Sequence, residues 1–438
     1  MYHPFQQTTS ITSNIVSKSY VNHLLERRKE TSSCNGVVHL DNAGASLMPD
    51  CVMDAYLAAI EEEARIGSYR AQRDASDRFD DLYNKIGDLL NCNGSEVSLL
   101  ENASRAWDLA FSMTELSVAS VIVTTEYEYA NNFVAMLRAK KETGCSIELI
   151  ELDEDGNVSL SHLAHLLEVH GHNIALVSIT HVPTHNAIIL PIYEIGGVIA
   201  SAKQAGIVSD TLLYVIDASQ TIGQLSLNVE DLGCDVLTFT SRKYLRGPRG
   251  LGGVYYRSTS LQRAIEHNQA EPKLLNIPGF VWDNQNDYNI ARNGLCFESW
   301  ETNYSGKLAF KKALEYHDDI KLDFLNCKNQ NLSSILRKQL SDIEGINIAD
   351  CGNKKSSMVT FYIDQKSEPF FAKFIEKQKI NVSLLDIRIS QINMRRKSQK
   401  YLIRISPYYY NTEDEIEFFI SVLSEIHHAF QKGSLLCQ

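Results

Sequence analysis

The sequence predicts an α/β chain with a mostly parallel sheet and a smaller α+β domain behind it, on three observations. From residue 118 onward, short apolar runs alternate with helical patterns, the order expected when each parallel strand returns through a crossover helix. The runs are short and apolar throughout, as strands covered on both faces require. In the last third, strands and helices become shorter and mixed.

In order, VASVIVTT (118–125), CSIELIEL (145–152), NIALVSIT (173–180) and LLYVID (212–217) read as strands, with helices near 130–142, 159–170 and 191–206 between them. DVLTFT and GGVYYR read as closing strands that flank a basic, glycine-rich loop. Then come helices near 304–317 and 328–342, the strands INIAD and SMVTFYID, a helix near 368–377, and the strands INVSLL and YLIRIS. In the last helix Thr412 and Glu415 have capping-box spacing, and Ile416, Phe419, Ile420, Leu423 and Ile426 share one face. The expected layout is an N-terminal arm over 1–35, a large domain over 36–295 and a small domain over 296–438. Segment 274–294 reads as a lid, a partner contact or plain surface, and RRKSQK (395–400) as a solvated surface loop.

Composition narrows the function. With 438 residues and 44% hydrophobic content the chain can bury sizeable cores, and a net charge of −12 argues against a nucleic-acid partner. The nine cysteines form no CxxC pair and no metal-finger spacing, which fits reduced thiols in a cytoplasmic protein without a metal site. The longest apolar candidate for a membrane span, AIILPIYEIGGVIASA, is broken by Pro191 and Glu194. The polar first twenty residues lack the apolar core of a secretion signal, and their lack of acids leaves a transit-peptide reading open.

Lys243 lies just past a buried strand, where an amine either snorkels to water or is held for chemistry. Asp217 ends another strand, with Gln220 three residues on, and ligands of open α/β sheets bind at the carboxyl ends of strands. Tyr129 and Asn131 follow a third strand; His181, Thr184 and His185 follow a fourth. ENASRAW (101–107) has the small residues suited to a helix start that receives an anion. Singly, these are an ordinary cap, a loop aromatic and a surface lysine. Together, an acid, an aromatic face, an anion-binding helix start and an amine match the four needs of pyridoxal 5'-phosphate.

From HLDNAGASLMP (39–49) to LIRISPYYYNTEDEIEFF (402–419), the chain resembles fold type I pyridoxal-phosphate enzymes of the class V aminotransferase and cysteine desulfurase superfamily. IDASQTIG with SRKYLRGPRGLGGVYY matches the ring-nitrogen aspartate, Asp217, and the Schiff-base lysine, Lys243, 26 positions apart (243 minus 217). The resemblance implies that Gln220, helped by Thr184, touches the cofactor's phenolic oxygen and that Tyr129 stacks on its ring. Ala103, Ser104, Thr240 and Arg242 would hold the phosphate. Arg242 stands where relatives commonly have histidine, and a guanidinium can bond two phosphate oxygens at once. Arg404 falls where the superfamily binds the substrate carboxylate, with Asn42 and Ala43 approaching the substrate. Trp300 and Glu301 fall in a loop that crosses into a partner's site, so a homodimer acting on a small amino acid is implied.

This cofactor supports several reactions on one frame. Cysteine desulfurases carry a nucleophilic cysteine some twenty residues before the carboxylate arginine, and INVSLLDIRISQINMRRKSQKYLIR contains none. The phrases RKYLRGPRGLGGVYY, FESWE and THVPT resemble the subgroup of hercynylcysteine sulfoxide lyase and isopenicillin N epimerase-like proteins. The implied activity is a lyase that breaks the Cβ–sulfur bond of a cysteine conjugate or sulfoxide, giving pyruvate and ammonia. An aminotransferase or epimerase is the alternative, and a non-catalytic binding protein the third.

Overall fold

The computed structural model describes residues 27–266, 275–363 and 368–432. Residues 1–26 of the expected arm lie outside the described residues. Seven strands form the main sheet: β1 (Val97–Leu100), β2 (Val121–Thr124), β3 (Ser146–Leu149), β4 (Ile174–Thr180), β5 (Leu213–Asp217), β6 (Val236–Thr240) and β7 (Gly252–Tyr256), in the order β1-β7-β6-β5-β4-β2-β3. β2 to β6 pair in parallel; β7 runs antiparallel to both β6 and β1. Alternate residues feed separate cores on the two faces: Tyr214, Ile216, Leu237 and Phe239 into one, Leu213, Val215 and Val236 into the other. That two-sided burial is why these strands read as unbroken apolar runs.

The smaller C-terminal domain holds an antiparallel sheet of β8 (Ile346–Ile348), β9 (Val359–Ile363), β10 (Ser383–Asp386) and β11 (Tyr401–Ile405), in the order β8-β9-β11-β10. The helices Leu322–Ser341, Glu368–Lys377 and Glu413–Gln431 cover it. The last opens on the expected capping box, Thr412 with Glu415. Ile416, Phe419, Leu423 and Ile426 are buried in its core and Ile420 packs against them.

Some elements depart from the sequence reading. The helix expected near 328 starts at Leu322, six residues earlier; its N-cap position, Lys321, makes no side-chain cap, so no local pattern marks that start. The helices Asp50–Ile66 and Ser76–Leu90 were not anticipated. Helix Tyr304–Asp318, assigned by sequence to the small domain, buries Ala309, Phe310, Ala313 and Leu314 in the large core. We therefore propose a division after that helix rather than at 296. At the other end, Val38–His39 pairs with Ile380–Asn381, and Asp41 bridges to Ser406; we propose on that ground that the first residues go with the small domain. Segment 274–294, beyond its first residue, is largely an exposed hairpin of Phe280–Asn284 with Asp287–Ile290. RRKSQK spans the end of helix Gln391–Arg396 and a turn, and Arg396 pairs with Glu126 at 2.6 Å. Among the described residues no helix is long and apolar enough to cross a membrane, and no group of three or more His, Cys, Asp or Glu side chains is arranged to hold a metal ion.

Candidate active site

β2 continues outward to β3, whereas β4 continues the other way to β5. Diverging connections leave a crevice at the carboxyl ends of a sheet. A cavity of about 460 Å3 opens there, and all nine residues assigned by sequence to the cofactor line it: Ala103, Ser104, Tyr129, Thr184, Asp217, Gln220, Thr240, Arg242 and Lys243.

Lys243 sits on the turn after β6. The turn is closed by Gly247 N–H donating to Ser241 O at 2.9 Å and Arg246 N–H to Lys243 O at 3.0 Å, after which Gly252 begins β7. GPRG is therefore the return into the sheet. Burial, and next the charge of Arg242, push the Lys243 amine down to about 7, against the opposing pull of Asp217. Asp217 is buried and oriented: its Oδ1 accepts from Ser219 N–H at 2.9 Å and its Oδ2 from Asn132 Nδ2 at 3.1 Å.

The helix Ala103–Ser112 starts at the cavity wall. Asn102 caps it by accepting from Arg105 N–H at 2.8 Å. A Cβ on Gly252 would meet Ala103 N at 2.3 Å, so only glycine lets β7 bring the helix start beside the lysine turn. Arg242 Nη1 donates to Thr240 Oγ1 at 2.8 Å on the same wall.

Arg404 stands on β11, 3% exposed, and its guanidinium reaches Thr184 Oγ1 at 2.6 Å, Ser383 Oγ at 2.9 Å and the Asp41 carboxylate at 3.0 Å. Ala43 O accepts from Gln220 Nε2 at 3.1 Å, which ties the N-terminal segment to the cavity wall. Asn42 departs from the expectation of substrate contact. It is fully buried, and its amide donates to Ser406 O at 2.7 Å and to Asn411 Oδ1 at 3.2 Å while Tyr410 hydroxyl donates to its oxygen. Trp300 is half exposed beside Tyr69, ring centroids 6.3 Å apart, and Glu301 lines a neighbouring cavity that shares Glu101 and Gly250 with the first.

The structure adds residues that the sequence reading passed over: Asp41, Arg249, Asn132 and Glu128. Arg246 is another. It is fully buried with no acid among its hydrogen-bond partners, donating to Leu47 O at 2.8 Å, Tyr409 hydroxyl at 2.6 Å and Thr31 Oγ1 at 2.6 Å, with its guanidinium 4.3 Å over the Tyr410 ring. Four tyrosines, Tyr316 and Tyr408 to Tyr410, were the available signal, since aromatic faces accommodate a buried guanidinium.

The residues present fit pyridoxal phosphate. Gln220 Oε1 is buried without a partner among the described residues, leaving polar capacity on the cavity wall. Arg242 and Arg249 in the lining offer two lasting positive charges for a doubly charged phosphate.

The Aminotransferase class-V family matches residues 38–419, most of the chain, and the chain belongs to that family. With its mixed sheet, lysine turn and smaller C-terminal domain, it is a pyridoxal-phosphate-dependent enzyme. It is 25% identical over 409 residues to a probable cysteine desulfurase of Pyrococcus abyssi, covering 91% of this chain and 96% of the relative. A cysteine desulfurase of Haloferax volcanii is 21% identical, covering 90% of each chain. Among solved structures, an apo cysteine desulfurase from Thermococcus onnurineus NA1 shares the fold with a TM-score of 0.80 at 23% identity, covering 92% of this chain and 97% of that one. A cystine C-S lyase in complex with cysteine persulfide does so with a TM-score of 0.77 at 18% identity, covering 90% and 99%.

Proposed function

We propose that this enzyme is a carbon–sulfur lyase acting on an α-amino acid whose β-carbon bears sulfur, a cysteine conjugate or its sulfoxide. The carrying observation is the cavity lining, which has a lysine, an aspartate and a wall of Ala103, Ser104, Thr240 and Arg242 but no thiol among the described residues. Desulfuration through an enzyme persulfide needs a cysteine within reach of the substrate, and residues 380–404 contain none. Cys351 lies elsewhere, 3.1 Å from Tyr127 hydroxyl and 2.9 Å from Asn186 Nδ2, and does not line the cavity. Relatives named cysteine desulfurase and cystine C-S lyase support a sulfur-bearing amino acid. The resemblance of RKYLRGPRGLGGVYY to hercynylcysteine sulfoxide lyase and isopenicillin N epimerase-like proteins favours the lyase branch.

Bound pyridoxal phosphate supplies an electron sink for charge left at the substrate Cα. Lys243 would hold it, Asp217 would keep its ring nitrogen protonated, Tyr129 would cover its ring, Gln220 and Thr184 would meet its phenolic oxygen, and Ala103, Ser104, Thr240 and Arg242 would hold its phosphate. Arg404 receives the substrate carboxylate in exchange for Asp41, beside Ala43. Once the substrate's own amine has replaced it on the cofactor, Lys243 Nζ would be free to remove the Cα proton. Sulfur then leaves Cβ with the bonding pair; one water is consumed, and a thiol or sulfenic acid, pyruvate and ammonia are released. A sulfoxide needs less acid assistance, because sulfenate is the better leaving group. The same reading includes a cytoplasmic homodimer with Trp300 and Glu301 near the partner.

The test incubates the purified, cofactor-loaded protein with S-substituted cysteines and their sulfoxides. Pyruvate and ammonia in equal amounts without an added keto acid are expected. Alanine would indicate desulfuration, amino transfer to a keto acid an aminotransferase, and an inverted amino acid an epimerase; any of these as the main product overturns the proposal.

A further inference from the structure

Glu128 lies between two residues of the cofactor site and belongs to neither role. Its side chain is 4% exposed, and no cation is among its hydrogen-bond partners. Five donors surround the carboxylate instead. Oε1 accepts from Tyr129 N–H at 2.9 Å, Asn132 Nδ2 at 3.0 Å and the Thr180 hydroxyl. Oε2 accepts from Thr124 Oγ1 at 3.1 Å and Ser178 Oγ at 3.0 Å.

An acid buried without a cation is costly, and burial accordingly raises its pKa. Five donors from three chain segments are more than are needed to join two strands. Two of them lead to the cofactor site. Asn132 Nδ2 carries two protons and places one on Glu128 Oε1 and the other on Asp217 Oδ2, so the orientation of Asp217 depends on where Glu128 stands. Tyr129 N–H donates both to Glu128 Oε1 and, at 3.1 Å, to Thr180 Oγ1, so the backbone that carries the ring-covering aromatic depends on the same acid.

We propose that Glu128 is a positioning residue that sets Asp217 and Tyr129 together, through Asn132 and the Tyr129 N–H, so that the edge and the face of the cofactor ring are held from one buried acid. This rests on the reading of Asp217 as the ring-nitrogen partner. A group that positions two contacts of the reacting ring governs the geometry of the electron sink, where misplacement by about an ångström costs roughly 10²-fold in rate.

The experiment compares wild type, Glu128→Gln, Asn132→Leu, the double variant and Asp217→Ala as cofactor-loaded proteins. It reads, per bound cofactor, the circular dichroism of the visible cofactor band, the 15N shift of the ring nitrogen in labelled cofactor, and kcat and KM on whichever amino acid the wild type turns over. Glu128→Gln should reduce the ellipticity, move the 15N shift and lower kcat roughly 10- to 100-fold with KM within about twofold. Asn132→Leu should do the same, and the double variant should be no worse than either single one. An unchanged dichroism band and 15N shift with kcat within about twofold, even with a lower melting temperature, would reduce Glu128 to a strand staple and overturn the proposal. If Asp217→Ala itself leaves the cofactor signals and kcat unchanged, the ring-nitrogen reading falls instead. The two spectroscopic readouts need no turnover, so they stand whichever reaction the enzyme performs. Should Glu128→Gln fail to fold, Ser178→Ala, which removes a single donor to Glu128 Oε2 away from the cavity lining, should shift the same signals in the same direction, and its failure to do so overturns the proposal equally.

Discussion

The two sheets supply the site in different ways. The main sheet delivers Asp217 and Thr240 as the last residues of β5 and β6, with Lys243 one turn further on, all from strands buried on both faces. The small sheet contributes one side chain to the inferred substrate end, Arg404, from the last-but-one position of β11, and that guanidinium already rests on Asp41, Thr184 and Ser383. On the proposed reading, cofactor chemistry rests on the edge of the buried sheet, whereas substrate recognition rests on a cation already engaged, to be re-paired on binding.

Variants on the two sides should therefore fail differently. Lys243→Ala should remove the lysine-linked chromophore and lower turnover by about 10²–10⁴-fold, read by absorbance and pyruvate release. A surviving lysine-linked chromophore would move the cofactor away from the main sheet. Arg404→Ala should leave that chromophore intact and raise KM by roughly 10- to 100-fold, the loss of a charged hydrogen bond, checked by initial rates across substrate concentration. Loss of the chromophore there would erase the division of labour. A smaller effect follows from the Lys243 pKa near 7. An amine attacks an aldehyde only when neutral, hence above its pKa, so cofactor capture by stripped protein should be half-maximal near pH 7 and fall by about tenfold per unit below it. Stopped-flow absorbance from pH 5.5 to 9 reads this, and a midpoint above 9 would mean that Lys243 is not desolvated. Least affected should be Cys351→Ser, which touches neither sheet's contribution and should change kcat/KM by less than about twofold; a large drop would bring a thiol back into the chemistry.

The residues that line the cavity could be brought together from the sequence because each of their short patterns is local. A strand end, a helix start or a glycine turn carries its own short pattern, and parallel strands align those ends automatically. The substrate end was less legible because it is made across the chain. Asn42 looked like a substrate contact from its place in DNAGAS, yet its partners Ser406, Tyr410 and Asn411 lie more than 360 positions away and claim its amide. Glu128 was passed over for a related reason: it sits in a loop phrase, TTEYEYANN, and only the folded neighbouring strand brings the hydroxyls of Ser178 and Thr180 to join that of Thr124 around it. The helix at Leu322 began without a capping side chain, so no local signal marked its start.

The setting of Arg246 has a consequence for handling the protein. Arg246 N–H holds the Lys243 carbonyl, while its guanidinium joins Thr31, Leu47 and the tyrosines at 409 and 410. Because neutral rings and oxygens grip this cation, added electrolyte has no surface ion pair to screen at this joint. The lysine turn should keep its seat through high-salt chromatography, while exposed pairs such as Arg65 with Glu62 loosen.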